Sequence, residues 1–189
     1  MKSRLAMIVG TVLFLTLPAR AQQVPDRSFR PPVTNPAFAL GEGPTVCLDE
    51  GHINFHTLDG RFWAFGELLR RDGYEVIPSA SRFVSEALLQ CEILVISNAQ
   101  PGSGDWNSYP YPTPSAFTEE EVQTVYSWVG GGGNLLLIAD HMPLAGAAIE
   151  LAAAFGVDFT DGFAVEGFDE ETANSPTIFV LRTKRFAHM

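Results

Sequence analysis

The chain has 189 residues, with 12 basic and 22 acidic side chains and a formal net charge of −10 at pH 7. Because an acidic chain is repelled by a phosphate backbone, this composition excludes nucleic acid as an expected partner. The length suits one domain with a substantial core, since chains of about 150 residues bury roughly two thirds of the surface that they expose when unfolded.

The first 21 residues have the features of a signal peptide. Two basic residues precede an apolar run over 5–17, and Ala19-Arg20-Ala21 supplies a small-x-small cleavage pattern. A membrane span needs about 20 apolar residues, so a cleaved signal is favoured over an uncleaved anchor, and no second candidate span follows. We therefore expect a secreted or periplasmic bacterial protein that starts at Gln22, with nine bases against 22 acids and a net charge of −13.

A Pro-rich leader over 22–43 has few large apolar residues and is expected to lie on the surface. The remainder, 44–189, is expected to form a single α/β domain, because alternating strand and helix signals are typical of a parallel sheet covered by helices on both faces. Right-handed crossovers favour the strand order 2-1-3-4. The predicted elements are a strand over 45–48, a helix over 61–71, a strand over 74–77, a short helix over 83–89, a strand over 93–96, a helix over 118–130, a strand over 134–139, a helix over 144–155, and edge strands over 159–165 and 178–181.

The helix before the fourth strand has the most specific local signals. Thr118 and Glu121 have the spacing of a capping box, and Phe117 and Val122 have that of a hydrophobic staple. The four glycines over 130–133 precede a strand, and no Lys-Ser/Thr follows them as a phosphate-binding loop requires. They therefore predict the end of this helix.

The two cysteines, Cys47 and Cys91, permit one disulfide in an oxidising compartment. We assume that Asp49 lies level with Ser97 in neighbouring parallel strands. Cys47 then lies level with Val95, four residues above Cys91. This offset is about 13 Å at 3.3 Å per residue, which exceeds the roughly 7 Å allowed between bridged Cα atoms. The sequence therefore predicts two separate buried thiols.

Polar side chains gather where the first and fourth strands end. The segment 49–57 contains two carboxylates and two imidazoles, and Asp140-His141 follows the fourth strand in the same manner. Because the carboxyl ends of parallel strands meet at one edge of a sheet, we expect these groups to share one ligand-binding site. The candidate ligand-binding residues are Asp49, Glu50, His52, Asn54, His56, Asp140 and His141.

The first interpretation of this cluster is a metal-assisted or acid/base hydrolase. A divalent metal would be its cofactor, with either of the first two carboxylates, Asp49 or Glu50, as general base. The spacing His-x-x-x-His lacks the glutamate of the H-E-x-x-H helix motif, which weakens the metal signal. The candidate metal ligands are His52, His56 and Asp140, with His141 beside them.

Two further interpretations remain open. In one, the polar groups bind a small-molecule or cell-envelope ligand without catalysis, and the aromatic loop over 106–111 covers it. In the other, the groups are structural, with Asp49 and Asp140 capping helices and the histidines bonded to backbone. The structural interpretation also makes Asn54 a residue in left-handed backbone geometry.

The order of elements and the polar strand ends resemble the class I glutamine amidotransferase-like superfamily, whose fold is a flavodoxin-like three-layer sandwich. Three motifs are similar to those of an uncharacterised family of secreted or membrane-attached bacterial proteins, some of which accompany ABC-type transport or gliding components. The resemblance covers about 45–165 and implies a fold without naming an activity. Relatives continue past the segment that matches Ile178-Phe179, whereas this chain stops after a basic tail, Arg182-Thr183-Lys184-Arg185, so a truncated or incomplete sheet is expected here. The motifs are Asp49-Glu50-Gly51-His52-x-Asn54-x-His56-Thr57 with Asp59-Gly60-Arg61-Phe62, the strand Ile93–Ser97, and Trp128-Val129-x-x-Gly132-Gly133 before Asp140-His141.

The chemistry best known from that superfamily is not expected in this chain. A glutaminase needs a cysteine nucleophile on the sharp turn between a strand and a helix. That turn is expected over 139–142, which contains no cysteine, and the chain has no G-x-S-x-G motif. The sequence therefore predicts a ligand-binding or accessory module of the cell envelope, with the hydrolase as the alternative.

Overall fold

The computed structural model describes residues 24–102 and 110–163. Four parallel strands form one sheet in the order β2-β1-β3-β4, with helices packed on both faces. This three-layer, flavodoxin-like α/β arrangement confirms the predicted fold class and strand order. The elements are β1 (Thr45–Asp49), α1 (Trp63–Arg71), β2 (Glu75–Ser79), α2 (Ser85–Leu88), β3 (Ile93–Ser97), α3 (Glu119–Gly130), β4 (Asn134–Ile138), α4 (Leu144–Ala147) and α5 (Ile149–Ala154).

Alternation along the strands divides the core into two layers. Val46 and Leu48 of β1 pack with the apolar face of α1, whereas Cys47 packs on the opposite face of the sheet with α2, α3 and α5. Successive strand residues point to opposite faces, so a strand covered on both sides is apolar throughout. The continuous apolar runs of β1 and β3 have this cause.

Helix α3 begins at the predicted capping box. The Thr118 hydroxyl accepts a hydrogen bond from the Glu121 backbone N–H at 3.2 Å, and the Glu121 carboxylate accepts one from the Thr118 N–H at 3.0 Å. The helix ends where the glycines begin, with Gly131 as its C-cap and Gly132 at a φ of 108°. The capping box and the end of the helix at the glycines are both confirmed. The capping box gives hydrogen-bond partners to backbone N–H groups at the start of the helix that would otherwise have none.

The prediction of two separate thiols is wrong, since Cys47 and Cys91 form a disulfide with 5.7 Å between their Cα atoms. The strand register differs by one residue from the assumed one, because Cys47 lies level with Leu94. Cys91 also lies in a turn, where its N–H donates to the Leu88 carbonyl at 3.1 Å. The chain before β3 is therefore not extended, and a rise of about 3.3 Å per residue does not apply to it.

The region after β4 differs from prediction in two ways. The single helix predicted over 144–155 is divided at Ala148 into α4 and α5. The described part of the predicted edge strand, 159–163, contains no strand, because its polar groups bond to loops: the Asp161 carboxylate accepts two hydrogen bonds from Thr113, and the Gly162 carbonyl accepts one from the Met142 N–H.

Three other predictions concern residues that lie wholly or mostly outside the described ranges. The predicted signal peptide, the strand over 178–181 and most of the aromatic loop over 106–111 lie outside the described residues. Within the described ranges, no helix has the length and apolar character needed to cross a membrane.

The disulfide is expected to contribute substantially to stability. It closes a loop between positions 44 residues apart, and such a crosslink stabilises a fold by roughly 2–4 kcal/mol. Replacing both cysteines by alanine should therefore lower the urea midpoint by a corresponding amount, and adding reductant should lower the midpoint of the parent protein but not of the variant. If two reactive thiols are detected in protein that has been unfolded without reductant, the disulfide is contradicted.

Candidate functional site

The predicted site residues lie at the topological switch point of the sheet. Strand β1 has β2 on one side and β3 on the other, so the loops that follow β1 and β3 leave the sheet in opposite directions. Ligands of open parallel sheets bind at such a point, outside the carboxyl ends of the strands. The segment 49–56 ends β1 and enters the loop after it, and Asp140 and His141 follow β4.

Asn98 lies directly after β3 and joins the loop that follows β1 to the loop that follows β4. Its carbonyl accepts a hydrogen bond from the Phe55 N–H at 3.0 Å, and its side-chain oxygen accepts one from the Asp140 N–H at 2.9 Å. Asn98 has a φ of 50° and Ile53 has a φ of 51°. A β-branched residue rarely adopts this left-handed geometry, and Gln100 holds it by donating its side-chain amide to the Ile53 carbonyl at 2.8 Å.

His52 lies in the protein interior between two carboxylates. Its Nδ1 donates to Asp49, 2.9 Å from Oδ1 and 3.0 Å from Oδ2, and its Nε2 donates to Glu121 Oε1 at 3.0 Å. Phe83 and Phe117 lie against the ring, with centroids at 4.5 Å and 4.8 Å. All three polar residues are buried, so this chain of contacts is closed to solvent.

The carboxylates determine the charge of His52. Burial alone would lower the pKa of His52, but the hydrogen bonds and charges of Asp49 and Glu121 outweigh it and raise that pKa above the ordinary value. Burial also acts to raise the pKa of Glu121, but the Thr118 N–H and His52 outweigh it and lower that pKa. We conclude that an imidazolium lies between two carboxylates, with both ring nitrogens occupied.

Asn54 completes the same buried network. Its side-chain N–H donates to Asp49 Oδ2 at 2.9 Å, and its side-chain oxygen accepts from the His52 backbone N–H at 3.0 Å. The left-handed residue in this loop is Ile53, not Asn54 as the structural interpretation expected. Asp49, His52 and Asn54 therefore bond mainly to one another.

His56 lies on the open side of the cluster. Its Nδ1 is 2.8 Å from the hydroxyl oxygen of buried Ser97, and its ring stacks on Phe62 with centroids 4.3 Å apart. Burial and the charge of Arg61 lower the pKa of His56, although the Asp140 carboxylate acts in the opposite sense. His56 is therefore neutral at pH 7. Its Nε2 has no hydrogen-bond partner within 24–102 and 110–163.

The guanidinium of Arg61 lies over the ring of Phe55, with its central carbon 3.7 Å from the ring centroid. Its Nε is buried and has no hydrogen-bond partner among the residues that the structure describes. Within the described part of the chain, no carboxylate forms an ion pair with this guanidinium. Stacking therefore fixes the orientation of the group while its charge is left uncompensated.

The other predicted residues have local partners. Glu50 accepts a hydrogen bond from the Leu58 N–H at 2.7 Å and so orders the loop after β1. Exposed Asp140 accepts from the His141 N–H at 3.0 Å, and His141 Nδ1 donates to the Met142 carbonyl at 2.6 Å. Pro143, not Asp140, is the N-cap of α4.

Asp49 is likewise not a helix cap, because the next helix, α1, begins fourteen residues later with Phe62 as its N-cap. The described side-chain hydrogen bonds of His52 and His56 go to other side chains and not to backbone: the partners are the carboxylates of Asp49 and Glu121 and the Ser97 hydroxyl. The helix-capping form of the structural interpretation is therefore wrong for both aspartates.

The three candidate metal ligands do not form a donor set. Both ring nitrogens of His52 are bonded to carboxylates, which leaves no lone pair for a metal ion, whereas His56 and Asp140 lie on the open side. Among the residues that the structure describes, no three His, Cys, Asp or Glu side chains are placed to hold a metal ion. These residues do not fit the metal cofactor considered from sequence.

Sequence reasoning did not assign Glu121, Ser97 or Arg61 to the site. A signal for Glu121 was present, since it lies four residues before Val125 on the buried face of α3, and a carboxylate on such a face needs a partner. No comparable signal identifies Ser97, because its hydroxyl contacts a residue 41 positions away.

Comparisons with protein-family models, curated proteins and solved structures find no match to this chain. The geometry of the site is therefore what indicates a function.

Replacing His52 by alanine should destabilise the protein strongly, because it leaves Asp49 and Glu121 buried without their shared cation. Removing one partner from a buried ion pair costs about 3–5 kcal/mol. The matched variant His56→Ala loses one hydrogen bond and a ring stack and should cost about 1–2 kcal/mol. Urea unfolding measures both, and equal losses would contradict the assignment of His52 to the interior.

The pH dependence of stability has a defined sign. The contribution of His52 is fully present below pH 6.5, the ordinary pKa of histidine, and is lost as pH rises through the raised folded value. That of Glu121 is present above its ordinary pKa of 4.5 and is lost as pH falls through the lowered folded value. The urea midpoint of the parent should therefore fall as the pH rises above 6.5, and the midpoint of His52→Gln should fall less.

Proposed function

We propose that this domain is a non-catalytic module that binds a small polar ligand at the switch point, through His56, Arg61 and Asp140. The observation that carries the proposal is the environment of His56. One ring nitrogen is held by Ser97 at 2.8 Å, the ring is stacked on Phe62, and the other nitrogen has no hydrogen-bond partner among the described residues.

This geometry is suited to recognition because the histidine is oriented before a ligand arrives. A side chain whose rotamer is already fixed loses little conformational entropy on binding. The imidazole is neutral at pH 7 because burial and Arg61 lower its pKa, so Nε2 either donates or accepts one hydrogen bond according to the tautomer. Arg61 and Asp140 add a cation and an anion to the same neighbourhood.

The backbone next to the site supports the same proposal. Ile53 and Asn98 have φ values of 51° and 50° on the loops that meet at the switch point. Residues held in such sparsely populated conformations cost about 1–3 kcal/mol each and cluster at ligand clamps and switch regions. The hydrogen bond from Gln100 to the Ile53 carbonyl retains this geometry.

Two observations favour binding over nucleophilic catalysis. Both cysteines of the chain are joined in the disulfide, so neither is a thiolate available for glutamine amidotransfer. Ser97 is fully buried with its hydroxyl bonded to His56, which removes it from contact with a substrate.

A hydrolase is the second candidate, favoured by neutral His56 near the Asp140 carboxylate, an arrangement that suits a general base.

We further propose that the module acts in the bacterial cell envelope after export, and that it is a relative of the class I glutamine amidotransferase-like superfamily without the cysteine nucleophile. The signal-like first 21 residues support export. The Cys47–Cys91 disulfide also supports it, because disulfides persist mainly in oxidising compartments. The parallel sheet in the order β2-β1-β3-β4 supports the relationship.

A thermal-shift screen with amino acids, sugars and peptidoglycan fragments tests the proposal. We expect at least one compound to raise the melting temperature of the parent and to have an effect at least about tenfold weaker on His56→Ala, where tenfold corresponds to about 1.4 kcal/mol. The control variant Gln123→Ala, exposed on α3, should respond as the parent does. Equal responses of His56→Ala and the parent would contradict the site, and His56-dependent turnover of a compound would favour the hydrolase.

A further inference from the structure

We propose that a cleft beside His56 binds the carboxylate or phosphate group of a small organic anion through Arg27 and Arg61. The cleft lies between the loop after β1 and the leader and has a volume of about 470 Å³, within the range of small-molecule sites. This inference rests on the proposed ligand-binding function and names its ligand class.

Arg61 provides the first wall. Its stack on Phe55 at 3.7 Å fixes the plane of the guanidinium, and its enclosed Nε has no hydrogen-bond partner in the described part of the chain. Its terminal nitrogens make no hydrogen bond or ion pair within 24–102 and 110–163. A planar guanidinium with two free donors matches the paired oxygens of a carboxylate or phosphate.

Arg27 of the leader also lines the cleft. Its guanidinium donates to the Asp59 backbone carbonyl and lies over the ring of Trp63, 5.5 Å from the centroid. The segment predicted to lie loosely on the surface is thus attached at the mouth of the cleft. No carboxylate among the described residues forms an ion pair with Arg27.

The charges around the cleft favour an anion. The lining contains two guanidinium groups, Arg27 and Arg61, and one carboxylate, Asp59, while its other polar side chains, Asn54 and Thr57, are uncharged. This locally positive cleft occurs in a chain with a net charge of −10. Uncompensated arginines that converge on one cavity of an acidic protein are therefore best explained by an anionic ligand.

His56 does not line this cleft, so it provides a reporter that is separate from Arg27 and Arg61. Arg61 is one of the groups that lower its pKa. An anion bound to Arg61 offsets that positive charge and should raise the pKa of His56, an effect that a merely structural Arg61 would not produce. Substituting Arg61 by glutamine should also raise this pKa in the absence of any ligand.

The experiment is an NMR titration of the full mature chain with inorganic phosphate and, separately, with acetate, at constant ionic strength maintained with chloride. We expect saturable shifts of His56 with at least one of the two probes and a rise in its pKa. The two arms distinguish a phosphate-bearing ligand from a carboxylate-bearing one.

Four variants test the specificity of the effect. Binding should be at least about tenfold weaker in Arg61→Gln, weaker in Arg27→Gln, and unchanged in Arg71→Gln, which removes a guanidinium from α1 outside this cleft. Arg61→Lys retains the charge without the planar fork and should bind more weakly than the parent. It serves as the test if Arg61→Gln does not fold.

Two outcomes would overturn the inference: no saturable shift with either probe, or an equal loss of binding in Arg71→Gln and Arg61→Gln. If neutral compounds still bind in a His56-dependent manner while neither anion does, the ligand class is wrong and the proposed function stands. If neither neutral compounds nor anions bind, both are wrong.

Discussion

The ion pair network of His52 is the interaction on which the rest of the site depends. It joins Asp49 at the end of β1 to Glu121 in the first turn of α3, 69 residues beyond His52. The Glu121 carboxylate also completes the capping box with Thr118 and accepts a hydrogen bond from the Phe83 N–H. One buried carboxylate thus fixes the start of a helix and the position of the loop after β1. Buried charges are tolerated at such a place only when each is paired.

This network separates two histidines that are four residues apart in sequence. His52 is enclosed and holds the loop after β1 to α3. His56 and Arg61 follow it in the same loop and lie on the open side of the cluster. Contacts within the protein already order these two groups. Ser97 and Phe62 hold the imidazole of His56, and Phe55 holds the guanidinium of Arg61. A ligand that binds there meets groups that are already oriented.

The fold was predictable because its signals are local: apolar strand runs, the capping box at Thr118, and the glycines that end α3. The disulfide was not, because it depends on a strand register one residue from the assumed one and on a turn at Cys91. The sequence located the polar cluster, but it could not separate His52 from His56. Their different roles depend on partners at Glu121 and Ser97, which only the packing of α3 and β3 brings near.

The most direct test of this division is a long-range ¹H–¹⁵N NMR spectrum of the histidine rings at a pH of about 6.5, the ordinary histidine pKa. We expect His52 to be mostly protonated on both ring nitrogens, because Asp49 and Glu121 raise its pKa. We expect His56 to be mostly neutral, because burial and Arg61 lower its pKa. A neutral His52 beside a doubly protonated His56 would contradict this division between the two histidines.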